Sequence, residues 1–170
     1  FNPDRTRLLI LEPEMRPAGS EAGQPEVLVA GLRFNPRNTA PSHLATYTAL
    51  VARPTGRGET RRIIIPWKAR VANPVWSPDG DRIAFTVVED AGMSLWVAEA
   101  WNGESRMLAG PVLNGVFGNP CRWLPSGSGL LCVKVVSTPD AAGIERHLTG
   151  QLTVIPLSGS ERLIGGPGVH

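Results

Sequence analysis

The sequence predicts an all-β chain built from repeated antiparallel units. Three observations carry this reading: a short pattern recurs, its spacing is regular, and Gly and Pro are frequent. The clearest copy is Trp76-Ser77-Pro78-Asp79-Gly80-Asp81-Arg82-Ile83-Ala84-Phe85. A second is Trp123-Leu124-Pro125-Ser126-Gly127-Ser128-Gly129-Leu130-Leu131-Cys132. A third opens the chain, Phe1-Asn2-Pro3-Asp4-Arg5-Thr6-Arg7-Leu8, and reads as one residue shorter in its turn. Each copy has an aromatic, a Pro-led polar turn and an apolar run. Pro presets φ at the first turn position, and Gly or Asp after it tolerates φ > 0. The runs that follow are rich in β-branched and apolar residues and read as strands.

Trp76 and Trp123 stand 47 residues apart, close to the ~40–50 residues of a four-stranded propeller blade. Phe1 and Trp76 stand 75 apart, one blade plus an insertion of roughly 25–30 residues. The expected fold is therefore a partial β-propeller of about three four-stranded antiparallel blades. The segments are 1–66 with an insertion at 13–42, 67–110 and 111–164, followed by a flexible tail at 165–170. Three blades are too few to close a ring of ~4–8. Further blades of a longer chain, or another copy in a homo-oligomer, are expected to complete the arc.

Within the first unit, residues 5–12 read as a strand. The stretch 13–42 reads as loop with a short strand or helical turn at 26–34. A strand is expected at 44–53, a turn at 54–59 and a strand at 61–66 with Ile63, Ile64 and Ile65 as a buried run. In the second unit, 73–77 lead in, 82–89 and 93–100 are strands around the turn at 89–92, and 105–109 is a short edge strand. Leu95 and Val97 are expected on one face, Trp96 and Ala98 on the other. Asn102-Gly103 is a hairpin signal. In the third unit, strands are expected at 120–124, 129–137, 150–157 and 161–164, with a loop from Thr138 to Glu145 and a turn at 158–160.

Composition narrows the function classes. Of 170 residues, 42% are hydrophobic and 19% charged, and Gly (19) and Pro (16) are abundant, as suits a globular all-β chain with many turns. The net charge of +2 is too small to imply a nucleic-acid or membrane partner. Arg57, Arg61, Arg62 and Arg70 cluster and read as a solvated strand edge. No apolar run is long enough for a transmembrane helix, and no signal peptide is visible. The start inside a repeat, without Met, points to a trimmed product, so location stays open between the periplasm or exterior and the cytoplasm.

The Trp76–Phe85 string resembles the propeller repeat shared by the prolyl oligopeptidase family and by TolB-like periplasmic propellers. Leu8-Leu9-Ile10-Leu11-Glu12, Gln24-Pro25-Glu26, Leu28-Val29-Ala30-Gly31-Leu32-Arg33-Phe34-Asn35-Pro36 and Tyr47-Thr48-Ala49-Leu50 resemble the N-terminal region of bacterial glutamyl endopeptidase-like members. Cys121-Arg122-Trp123-Leu124-Pro125 and Gly129-Leu130-Leu131-Cys132 fit the same place. The resemblance runs from about Phe1 to Leu157. It implies a serine peptidase whose α/β-hydrolase domain carries the Ser-Asp-His triad after the propeller. The propeller would gate entry and position peptide substrates for that domain of the same parent chain. The alternative is a TolB-like protein-interaction module with no enzyme attached.

No catalytic residue, cofactor or metal ligand is assigned within the chain itself. Gly92-Met93-Ser94-Leu95-Trp96 approaches the nucleophile-elbow pattern but ends in Trp and sits in a hairpin context, not strand-to-helix. Gly127-Ser128-Gly129 is a repeat turn. His43, His147 and His170 show no triad or metal spacing; His43 falls in the insertion and reads as a plain surface histidine, with substrate contact as the lesser alternative. Cys121 and Cys132 flank the Pro125–Gly129 turn. A cross-strand disulfide and a pair of buried thiols both fit them. Trp76, Ser77, Pro78, Asp79, Gly80, Trp123, Pro125 and Gly127 are assigned to the structural repeat. Of the five tryptophans, Trp101 is expected to be the most exposed.

Overall fold

The computed structural model describes residues 1–15, 23–136, 145–158 and 162–163. The strands in order are β1 (Arg7–Pro13), β2 (Val27–Val29), β3 (Leu32–Phe34), β4 (Tyr47–Pro54), β5 (Arg61–Arg62), β6 (Arg70–Trp76), β7 (Arg82–Glu89), β8 (Gly92–Glu99), β9 (Ser105–Leu113), β10 (Cys121–Trp123) and β11 (Gly129–Val135). A helical turn, α1 (Glu145–Leu148), then precedes β12 (Gly150–Pro156) and β13 (Arg162–Leu163). The expected tail at 165–170, and most of the loop and turn expected at 138–145 and 158–160, lie outside the described residues.

The strands fall into three antiparallel units. The first pairs β1 with β4 and β4 with β5. The second is the meander β6-β7-β8-β9 and the third is β10-β11-β12-β13. Adjacent units touch through one ladder pair each, Tyr47 with Val71 and Leu113 with Lys134. This is an all-β, propeller-like fold.

The middle unit explains why its strands read as nearly continuous apolar runs: both faces are covered. Ile83, Phe85 and Val87 pack with Leu50, Ala52 and Val71 towards the first unit. Ala84 and Val88 pack with Cys121, Leu130, Cys132 and Ile155 towards the third. Side chains alternate across a strand, so one strand serves both cores. Pro74 is tolerated inside β6 because the ladder is broken there. The register shifts between Ala72 and Val75, and Asn73 takes φ 52°, as at a bulge.

The three repeat turns share one hydrogen-bond pattern, including the first. Asn2 N donates to Arg7 O at 2.9 Å, Ser77 N to Arg82 O at 2.9 Å, and Leu124 N to Gly129 O at 2.9 Å. The same turn position carries positive φ in all three: Arg5 at 60°, Gly80 at 75° and Gly127 at 68°. The first turn is thus the same length as the others, correcting the shorter reading; Asn2 replaces Ser77 as the residue whose side chain accepts from the strand amide. The turns also stack. A Cβ on Gly80 would stand 2.9 Å from Asn2 Nδ2, and one on Gly127 would stand 3.5 Å from Asp79 Oδ2.

Several elements differ from expectation. The 26–34 stretch is the β2–β3 hairpin, turned at Ala30-Gly31 with both φ values positive. β9 runs on to Leu113, because its inner end pairs with Met93 of β8. The lead-in at 73–77 is the last part of the longer β6. Strand pairing at 61–66 is confined to Arg61–Arg62, and Ile64 is 62% exposed while Ile63 is buried. Ile64 N instead donates to Gly103 O in the next unit, which turns its side chain outward. Trp67 is 89% exposed against 63% for Trp101. It sits in a turn closed by Ala69 N donating to Pro66 O, with Lys68 at φ 57°.

Candidate ligand cleft at the insertion end

The Pro-led turns stand at one end of the units; the hairpin connections between second and third strands stand at the other. In the middle unit that connection is the tight turn between Glu89 and Gly92, which are directly paired. In the first unit it is residues 14–46. The short middle turn leaves space, and the insertion fills it by crossing to the third unit. Phe34 and Ala40 are buried. Thr39 Oγ1 donates to Leu113 O at 2.8 Å. The Phe34 ring lies 5.9 Å from that of His147 in α1, tilted by 57°. Asn114 ties the same corner together, its Nδ2 donating to His147 O and Thr149 O, each at 2.9 Å.

Between the insertion and the strand ends lies a cleft of about 670 Å³. Its walls include Glu14, Glu26, Arg33, His43, Arg70 and Asp90. Two acid–base pairs frame it. Glu14 Oε2 lies 3.4 Å from Arg70 Nε and accepts from Thr46 Oγ1 at 2.5 Å. Glu26 Oε2 lies 3.0 Å from Arg33 Nη1. The Glu26 carboxyl is held below its ordinary value, first by the Ser42 hydroxyl and then by Arg33 and the nearby His43, against an opposing effect of burial. Hydrogen bonding and positive charge both favour the carboxylate. Such a surface presents fixed donors and acceptors of both charges.

The sequence-assigned positions lie elsewhere. Ser77, Pro78, Asp79 and Gly80 form the second repeat turn, and Pro125 and Gly127 the third. Ser77 Oγ donates to Asp79 Oδ1. That bond, followed by the amide of Asp81 and the charge of Arg82, lowers the Asp79 pKa although burial opposes it. Trp76 packs between the first and second units and Trp123 between the second and third. Cys121 and Cys132 are directly opposed on β10 and β11, with Cα atoms 4.2 Å apart, and form a disulfide. Val133 N donating to Pro120 O and Leu124 N to Gly129 O put the cysteines at a non-hydrogen-bonded pair, where strands approach closest.

Ser94 is buried, and its Oγ accepts from Trp96 Nε1 at 3.1 Å. Ser128 is exposed in its turn. His43 lines the cleft, His147 is buried under the insertion, and His170 lies outside the described residues. Among the described residues no group of three His, Cys, Asp or Glu is placed to hold a metal ion, and no helix is long and apolar enough to cross a membrane. The arginine cluster is divided. Arg61 pairs with Glu59 and Arg62 with Glu12 on the strand edge, whereas Arg70 belongs to the cleft. Glu14, Glu26, Arg33 and Ser42 went unassigned in the sequence. Their partners are set by the folding of the insertion, and no local spacing announces them.

No family model matches the chain. It is 27% identical over 146 residues to a probable chloroplastic glutamyl endopeptidase of Oryza sativa subsp. japonica, covering 78% of the chain and 16% of the relative. It is 29% identical over 130 residues to a protein of the same description from Arabidopsis thaliana, covering 69% of the chain and 14% of the relative. The chain thus spans a small part of the curated relatives it matches. Among solved structures, a putative TolB from Agrobacterium tumefaciens aligns with TM-score 0.46 and 13% identity, over 94% of this chain and 62% of that one. TolB from Acinetobacter baumannii aligns with TM-score 0.39 and 14% identity, over 71% and 38%.

Proposed function

We propose that this chain is the gating propeller segment of a larger serine peptidase of the prolyl oligopeptidase family, one that cuts after glutamate. It positions peptides, and an α/β-hydrolase domain of the same parent chain hydrolyses them. The observation that carries this reading is the insertion at 14–46, which crosses the middle unit, anchors on the third and walls a polar cleft. A purely structural β array has no use for such a feature; long loops on a rigid scaffold are where binding concentrates. The similarity to proteins described as glutamyl endopeptidases supports the peptidase assignment. The Cys121–Cys132 disulfide supports an oxidising location, periplasmic or secreted.

The test is made in the full-length parent. Residues 14–46 are replaced by the Asp90-Ala91 connection of the middle unit, and a second variant, Arg33→Ala, loosens the wall while keeping the insertion. Turnover of short glutamyl peptides should persist in both. Cleavage of longer, partly folded substrates should rise several-fold with the shortened insertion, and KM for short peptides should rise about 3–10-fold in Arg33→Ala with kcat unchanged. Unaltered substrate range and KM in both variants would refute the gating role.

A further inference from the structure

β1 is paired on one side only. Thr55 N donates to Thr6 O, which sets the phase of the β1–β4 ladder. Leu8, Ile10 and Glu12 then exchange hydrogen bonds with Arg53, Val51 and Ala49, and the N–H and C=O of Leu9 and Leu11 face away. Among the described residues no strand pairs with that side. In the other two units it is filled: β6 lies there against β7, and β10 against β11. Both of those strands run straight into the Pro-led turn of their own unit.

A second observation points to the same place. Trp123 Nε1 donates to Val75 O at 3.3 Å, and Val75 is the residue just ahead of Trp76. Trp76 is the equivalent of Trp123, and its Nε1 is buried without a hydrogen-bond partner. The repeat relation that maps Trp123 onto Trp76 maps Trp76 onto Phe1. The position that matches Val75 for Trp76 is therefore the one directly ahead of Phe1. Phe1 itself is 75% exposed, whereas Trp76 and Trp123 are half-buried.

We propose that the open edge of β1 is a strand-docking site, and that its occupant is the stretch of the parent polypeptide leading into Phe1. That stretch lies antiparallel to β1, pairs its backbone with Leu9 and Leu11, and presents its last carbonyl to Trp76 Nε1. An unpaired edge and an unpaired buried donor are each unfavourable, and one short strand satisfies both.

Nuclear magnetic resonance tests this on two forms: residues 1–170, and the same chain extended by the codons that precede Phe1 in its gene. Amide exchange at Leu9 and Leu11 should slow at least about tenfold in the extended form. The Trp76 indole N–H should shift downfield while that of Trp123 stays in place. Unchanged exchange at Leu9 and Leu11 in the extended form overturns the proposal. So does protection already present in the 1–170 form that disappears on dilution, since the occupant is then a second copy.

Discussion

The Phe34 ring of the insertion lies against the His147 ring of α1, with centroids 5.9 Å apart. A residue of the first unit thereby closes onto the third, across the middle one. The contact fixes the insertion as a wall, and the cleft keeps its shape because Phe34 cannot leave without exposing a fully buried ring.

Phe34→Ala should therefore cost about 3–5 kcal/mol, the usual range for emptying a buried aromatic site. Equilibrium denaturation measures it. Limited proteolysis should show faster cleavage within 14–46 in the variant. A loss below about 1 kcal/mol, with unchanged proteolysis, would mean the ring contributes little to anchoring.

The Cys121–Cys132 bond closes a short loop, with a sequence separation of 11. Replacing both cysteines by alanine should lower stability by about 2–4 kcal/mol, including lost packing in the core between second and third units. Alkylation of the chain unfolded in denaturant should occur only after reduction, since the disulfide leaves no free thiol on either cysteine. Ready alkylation without reductant would show free thiols instead.

The stacked repeat turns single out Arg5. It holds φ 60° where the other two copies have Gly80 and Gly127. A side chain in that region is strained, and glycine is not. Arg5→Gly should raise stability by about 0.5–1 kcal/mol, read as a higher melting temperature. A lower one would show that the Arg5 side chain has an unseen stabilising role.

Asp79 gives the turn an acid-sensitive element. Its folded pKa lies below the ordinary 3.8, with the Ser77 hydroxyl as the main cause. A depressed carboxylate contributes stability above its unfolded value, and that contribution fades as pH falls through the folded one. Asp79→Asn should therefore be less stable than the parent at neutral pH, with the difference closing as the solution is acidified. A difference constant across the acid range would rule out the carboxylate as its source.

The repeat turns and the middle-unit strands were legible because their signals are local. Pro78 with Gly80, Pro125 with Gly127 and the apolar run from Ile83 to Val88 each sit within one element. The cleft was not, because Glu14 and Arg70 meet only when the insertion folds back beside β6. Ile64 misled for a related reason. Its run is apolar throughout, and only the hydrogen bond from its backbone to Gly103 decides which way it faces. Trp67 shows the same limit, since a closed turn pushes it outward despite its size. The β2–β3 hairpin was half visible; Ala30-Gly31 turns it without the Asn-Gly pair that signals such turns in sequence.

The most direct test of the gating account is fluorophosphonate labelling of the full-length parent, with the modified peptide mapped by mass spectrometry. The account predicts one labelled serine in a Gly-x-Ser-x-Gly sequence outside residues 1–170, and none on Ser94, Ser128 or any other serine within them. A parent that takes no label, or one labelled inside this chain, would contradict it.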